Sequence, residues 1–469
     1  MMTMEYSNSP ERQRRELMIR LACEFRKGTL ADTIDKLPCY VKPSGSKPLH
    51  CCLAHDREVL RCRIMALLGL DAQDEEDDSR FPHEYLELVS ADSERPERPL
   101  TVARTACSSC ADAKIEVVQS LCRNCFAQTC IHVCPNNAIN IIRGKAFINQ
   151  DSCVQCGKCL IDVCLYNAIK RFPIPCEAAC PVGAIKKNEQ GFAEIDFKKC
   201  TFCGKCFRAC PYGAVMQRSE LMPVMKLLSE GRQAVALVAP STLNQFPGGR
   251  EKLFKSLQKV GFSEIIEVAE AAEIAAGMAA EEFIRKMKLG GKLVADASCP
   301  AFVELVRRHL PAMRPYLSST PSAMALAGQK ARELYPDAVN VFIGPCIAKR
   351  YESLSCPGVD RVITIEELGA ILIAFGGADL EPQDYIPQDP DATDHDFSRT
   401  CAATGAMLAA AIESEPELEL QEKFIDGINA QTLKLLHLFL FGRSHANFIE
   451  VLGCSGGCQN GPCSLAIPN

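Results

Sequence analysis

The chain has 469 residues, 47% hydrophobic and 23% charged, enough apolar material for two or three packed cores. Its 52 Lys and Arg against 58 Asp and Glu give a formal net charge of −6, which excludes the basic footprint of a nucleic-acid or anionic-membrane binder. The 28 cysteines, with no export signal in view, are expected as thiolates on metal rather than as disulfides.

Arg14 and Arg15 look like a twin-arginine signal, but the ELMIRLACEFRKG that follows is broken by Arg20, Glu24 and Arg26 and makes no apolar signal core. Apolar runs such as LGAILIAFGGA at 368–378 are too short to span a bilayer. A cytoplasmic protein with no nucleic-acid and no membrane partner is expected.

Residues 1–100 form the first expected domain, a helical segment with an acidic and proline-bearing linker. ELMIRLACEF and REVLRCRIMALLGL carry apolar residues at helical spacing, the second stopped by Gly69. DAQDEEDD reads as solvated and ADSERPERPLTV as a linker. Cys39, Cys51, Cys52 and Cys62 accompany these helices and read as packing thiols, since adjacent cysteines without a CxxC partner are weak metal signals.

Residues 101–220 form the second expected domain. CTFCGKCFRACP supplies Cys200, Cys203, Cys206 and Cys210, a spacing in which three close thiolates hold one 4Fe-4S cluster and the fourth reaches another. Zinc takes cysteine mostly as separated pairs and fits this run less well. CRNCFAQTCIHVCP adds Cys122, Cys125, Cys130 and Cys134, and CVQCGKCLIDVC adds Cys153, Cys156, Cys159 and Cys164. Crossed ligation then groups Cys122, Cys125, Cys130 and Cys164, and separately Cys153, Cys156, Cys159 and Cys134. CEAACP offers Cys176 and Cys180; Cys180 completes the set of Cys200, Cys203 and Cys206, leaving Cys210 and Cys176 to join Cys107 and Cys110 of CSSC. Four clusters use these cysteines without remainder, whereas ordinary thiols at Cys107 and Cys110 leave three. The layout resembles electron-transfer subunits that carry four cubanes with exchanged ligands. His132 falls inside an array, but the cysteine count needs no histidine. NAINIIRGKAFINQ, GAIKKNEQGFAEID and AVMQ read as short strands and turns, giving two ferredoxin units in tandem.

Residues 221–469 form the third expected domain, an alternation of strands (RQAVALVAP, SEIIEVA, GKLVADAS, AVNVFIGP) with helices (REKLFKSLQKV, AAEIAAGMAAEEFIRKMK, PSAMALAGQKARELY). The expected fold class is α+β and α/β. The chain shows no dinucleotide fingerprint and no P-loop. Cys299, Cys346 and Cys454 each follow an apolar stretch, KLVADAS, VNVFIGP and NFIEVLG. If those strands share one sheet, their carboxyl ends bring Cys299, Cys346, Cys454 and Cys458 to one crevice.

These motifs resemble those of the iron-only hydrogenases in their monomeric form with fused ferredoxin clusters, over roughly residues 101–469. That family marks its active site, the H-cluster, with TSCCP, PCxxKxxE and ACxxGCxxGGGQP; here the positions read DASCP at 296–300, PCIAKRYE at 345–352 and GCSGGCQNGPCSL at 453–465. The resemblance implies that Cys299, Cys346, Cys454 and Cys458 hold a cubane, with Cys458 bridging to a di-iron subcluster that carries carbon monoxide, cyanide and a dithiolate bridge. It implies that Lys349 donates to an iron-bound cyanide and that Glu352 lies on the proton route, although an i, i+3 Lys–Glu pair is also a common helix-surface arrangement. It further implies interconversion of dihydrogen with protons and electrons, a ferredoxin or similar one-electron carrier, and maturation proteins. A slow or non-turnover hydrogen- or redox-sensing protein is the alternative.

Three departures stand out. The cysteine that hands protons to the di-iron group in this family is Ser298 here, a far weaker acid than a thiol. Gly344 and Leu452 replace methionines that pack against that group. The outer acidic residues of the family's proton path fall in a region of mostly small apolar residues, near Glu281 and Glu282.

Overall fold

The structure is a computed structural model that describes residues 10–376, 415 and 418–465, apart from residues 50, 73–80, 90–91, 109 and 442–444. The two expected N-terminal helices run over Pro10–Lys27 and Leu53–Leu67, joined by short helical turns, with Gly69 just past the second in the left-handed region at φ +87°. Their apolar faces do not make a core of their own. Leu17, Leu21, Leu60 and Ile64 pack in one cluster with Ala234, Val341, Ile363 and Leu368. Arg14 and Arg15 clamp that layer down, both reaching Glu366 Oε1, at 2.7 and 2.9 Å.

Two N-terminal expectations are corrected. Cys39, Cys51 and Cys52 are exposed, so of the four thiols read as packing groups Cys62 alone is buried. The proline-bearing linker is anchored: Arg95 donates to Ser353 and Val359 carbonyls, and its last residues form a strand. The acidic run lies outside the described residues from position 73, while Asp71, at its start, accepts from Thr101 Oγ1 at 2.5 Å.

The cysteine-rich region contains β1 (Leu100–Val102), β2 (Lys114–Val117), β3 (Ile139–Ile142), β4 (Lys145–Ile148), β5 (Ile169–Phe172), β6 (Ile185–Lys187), β7 (Ala193–Ile195) and β8 (Val215–Gln217). All pair antiparallel, β1 with β8, β2 with β5, β3 with β4 and β6 with β7. The two ferredoxin-like units are therefore nested rather than in tandem. The unit from β2 to β5 closes its own small core of Ile115, Val117, Ile139, Ile148 and Ile169, inserted between β1 and β6 of the other. Strand pairing decides this, and short strands do not announce their partners in sequence.

The remaining domain contains β9 (Ala234–Val238), β10 (Glu264–Glu267), β11 (Val294–Ala295), β12 (Val339–Ile343), β13 (Arg361–Ile363), β14 (Glu422–Asp426) and β15 (Phe448–Leu452). Parallel pairing builds two sheets, in the orders β10-β9-β12-β13 and β11-β15-β14. The single sheet expected to carry Cys299, Cys346 and Cys454 is corrected accordingly: β11 and β15 share one sheet and β12 lies in the other. Helices cover these strands, as parallel crossovers require. The predicted helices appear as Gly249–Val260, Val268–Lys288 and Ala323–Leu334. Among the described residues, no helix is long and apolar enough to cross a membrane.

Candidate metal centres

In the cysteine-rich region the thiols stand around four small cavities of about 10 to 30 Å³. Cys122, Cys125, Cys130 and Cys164 line one, and Cys134, Cys153, Cys156 and Cys159 line the next. Cys107, Cys110, Cys176 and Cys210 line the third, and Cys180, Cys200, Cys203 and Cys206 the fourth. These groupings coincide with the four crossed sets read from spacing. His132 is exposed and absent from the lining.

One loop geometry recurs. The residue before the second cysteine of each long array is left-handed, with φ 49° at Asn124, 51° at Gln155 and 57° at Phe202. A buried aromatic rarely adopts that region; Phe202 is held there by stacking on Tyr351, ring centroids 4.1 Å apart. The last cysteine of each array accepts the backbone N–H four residues on: Ala138 to Cys134 and Ala168 to Cys164, Ala184 to Cys180 and Ala214 to Cys210, at 3.2–3.4 Å. Such N–H donors to sulfur stabilise a thiolate and tune a cluster's potential.

Where β11, β12 and β15 end, Cys299, Cys346, Cys454 and Cys458 line a cavity of about 200 Å³. Cys299 begins the helix Pro300–His309 and Cys346 the helix Ile347–Ser353. The C-terminal loop reaches them by close backbone approach: a Cβ on Gly461 would stand 2.8 Å from Pro345. Burial pushes the Cys346 thiol up to about 12 and Cys458 to about 11, and raises Cys299 and Cys454 as well. Thiols raised this far stay neutral unless a cationic metal group takes them as thiolates. A soft, all-sulfur donor set suits an iron–sulfur cluster and is a poor match for magnesium or calcium. Cys203 lines both this cavity and the small one of Cys180, Cys200 and Cys206. Gly204, at φ +73°, permits that contact, because a Cβ there would stand 2.7 Å from Pro462.

Lys349 lines the cavity, with Nζ 2.7 Å from Glu352 Oε2 and donating to the Ser298 carbonyl at 3.5 Å. Burial opposes its charge, but Glu352 and the neighbouring thiols outweigh that and raise its pKa. Both side chains are largely buried, at 14% and 20% exposure, unlike a solvated helix pair. Glu352 does not itself line the cavity.

Ser298 faces the cavity beside Asp296, a residue the sequence reading passed over. Ser298 Oγ donates to Asp296 Oδ2, and the Ser298 N–H reaches the same oxygen at 3.1 Å. Burial raises the Asp296 pKa, against hydrogen bonds from Ser298 and the attraction of Lys349. The Asp-x-Ser spacing of an Asx turn was the available signal. Gly344 has no room for a methionine, since a Cβ would meet the Phe342 ring at 2.9 Å, and Phe342 lines the cavity instead. One wall is the alanine face of the helix Val268–Lys288, from Ala272 to Ala280. Glu282, two residues beyond, binds the turn Ser318–Thr320, whose Thr320 lines the cavity. Hydrogen bonds from Lys286 and Ser318 outweigh burial and hold its carboxyl at about 2, so it is an anchoring anion at neutral pH.

Residues 232–462 match the family model described as iron only hydrogenase large subunit, C-terminal domain, and residues 175–214 match a 4Fe-4S dicluster domain. The NADP-reducing hydrogenase subunit HndD of Solidesulfovibrio fructosivorans is 23% identical over 67% of this chain and 63% of its own length. Iron hydrogenase 1 of Clostridium pasteurianum is 25% identical over 67% of this chain and 64% of its own. The chain thus spans a little under two thirds of either relative. A solved FeFe-hydrogenase from Chlamydomonas reinhardtii covers 54% of this chain and 86% of its own at 18% identity and a TM-score of 0.44. Residues 232–462 belong to the iron-only hydrogenase large-subunit family, and the chain joins that domain to a 4Fe-4S dicluster domain.

Proposed function

We propose that the chain is a cytoplasmic hydrogenase that interconverts dihydrogen with protons and electrons. In this reading Cys299, Cys346, Cys454 and Cys458 hold the cubane of an H-cluster, and the sixteen thiols between Cys107 and Cys210 hold four more. The observation that carries it is the meeting of four thiols from three distant motifs, with Lys349, on one cavity. When bound, the di-iron subcluster with its carbon monoxide, cyanide and dithiolate ligands supplies the dihydrogen chemistry, and maturation proteins deliver it. Lys349 offers an ammonium to an anionic ligand there, a charge-assisted hydrogen bond that fixes orientation. Ser298 can pass a proton only by giving one and taking one together, since a hydroxyl does not ionise near neutral pH. Cys203 gives the set with Cys180 the closest approach to the cavity, making it the last stop for electrons travelling to or from a ferredoxin-type carrier.

Infrared spectra of anaerobically matured protein, with a viologen-linked dihydrogen assay, test the proposal. Carbon monoxide and cyanide bands with turnover are expected; their absence after maturation would overturn it.

A further inference from the structure

The nested unit, Lys114 to Phe172, carries a surface unlike the rest of the chain. Around the cavity of Cys122, Cys125, Cys130 and Cys164 the rim is apolar and open. Phe126, next to Cys125, is fully exposed; Leu165, next to Cys164, is 94% exposed; Tyr166, which lines the cavity, is 50% exposed. Cys125 itself is exposed. Residues of this size rarely stand fully in water without a purpose, and apolar groups gathered at one rim mark an interaction site.

Charge gives the character of the partner. From Lys114 to Phe172 there are seven Lys and Arg against three Asp and Glu, a net +4 within a chain of −6. Arg123 lines the rim, and the turn bearing Arg143 meets it, a Cβ on Gly144 standing 4.0 Å from Asn124. Two thiolate-bound clusters are anionic and bring the unit back to about neutral, while the remainder of the chain stays acidic, so the exposed cations at the rim, Arg123 and Arg143, are what faces an acidic molecule there.

We infer that the rim formed by Phe126, Leu165, Tyr166, Arg123 and Arg143 is the docking surface for an acidic protein that carries a one-electron centre. The inference rests on the electron-transfer reading above. Exposed apolar groups and cations side by side suit a small, short-lived encounter, in which charge sets the association rate and the apolar contact sets the register. The exposed cysteine at the middle places the acidic partner's centre beside the Cys122 set.

The test uses the full chain with its clusters in place, reduced beforehand and mixed in stopped flow with an acidic 2Fe-2S ferredoxin, whose visible spectrum differs from that of a cubane. Reoxidation of the clusters is read by absorbance and needs no dihydrogen chemistry. The second-order rate is expected to fall as salt rises. Phe126→Ser together with Leu165→Ser, and separately Arg143→Glu, should each lower it about tenfold. Iron content and the rate with a small viologen should stay unchanged. A ferredoxin rate indifferent to both variants and to salt would overturn the inference. So would a self-associated chain that Phe126→Ser makes monomeric in sedimentation, because the rim would then belong to a second copy. Loss of viologen-linked dihydrogen turnover with the ferredoxin rate intact would overturn the hydrogenase proposal and leave the docking surface standing.

Discussion

Ser298 and Asp296 share one carboxylate oxygen, which accepts both the hydroxyl and the backbone N–H of the serine. The hydroxyl is thereby turned toward the wall of the cavity and engaged as a donor. A thiol in its place, with an ordinary pKa near 8.5, could ionise and move a proton by itself.

Ser298→Cys is therefore expected to raise dihydrogen turnover of matured protein by roughly tenfold or more, within the range general acid–base groups contribute. The viologen-linked assay measures it. An unchanged rate, with intact carbon monoxide and cyanide bands, would place the slow step elsewhere.

Glu282 should act on stability and not on proton supply. Its folded pKa of about 2 lies below the usual 4.5, so its stabilisation is complete above about pH 4.5 and is lost as pH falls toward 2. Glu282→Gln is expected to lower the melting temperature by an amount constant from pH 8 to pH 5, with the gap narrowing only below pH 4.5. A gap that closes between pH 7 and pH 6 would contradict the assignment.

Arg350 sits in the helix that bears Lys349, but its guanidinium points into the core. It pairs with Glu367 at 2% and 0% side-chain exposure and donates to the carbonyls of Arg218 at 2.7 Å and Val362 at 3.1 Å. Arg350→Ala strands a buried carboxylate and is expected to cost about 3–5 kcal/mol. Lys330→Ala, which breaks the exposed pair with Glu270, should cost about 0.5 kcal/mol or less. Thermal unfolding of the two variants side by side checks the contrast.

Cys52 caps the helix Leu53–Leu67, its sulfur accepting the His55 N–H at 3.5 Å, which together with the thiol of Cys51 lowers its pKa. Burial pushes Cys62 up to about 11. Brief iodoacetamide treatment of native protein should label Cys52 and spare Cys62, since the thiolate is the nucleophile. Mass spectrometry reads the outcome, and equal labelling would refute it.

The grouping of the thiols was legible because cysteine spacing is local: CxxCxxC sets three thiols within seven residues, and the crossed fourth member of each group followed from counting. Motif order also marked Cys299, Cys346 and Cys454 as strand-end thiols. What sequence did not give was partnership over distance. The runs before Cys299 and Cys346 look alike, yet β11 and β12 lie in different sheets. Asp296 drew no reading of its own, and its bond from Ser298 comes from the structure. Arg14 and Arg15 made no export signal, yet nothing near them named their partner, Glu366, some 350 positions away.

In the nested unit, Lys114 lies opposite Phe172 in the β2–β5 ladder, so the chain enters and leaves at neighbouring points. A segment with adjoining ends is a removable cartridge: cut out and bridged by a short turn, it takes two of the cysteine-lined cavities and the exposed rim with it, while β1–β8, the Cys107 set and the large cavity keep their connections. The same geometry would let one such unit replace another while the part that holds the large cavity keeps its chain path.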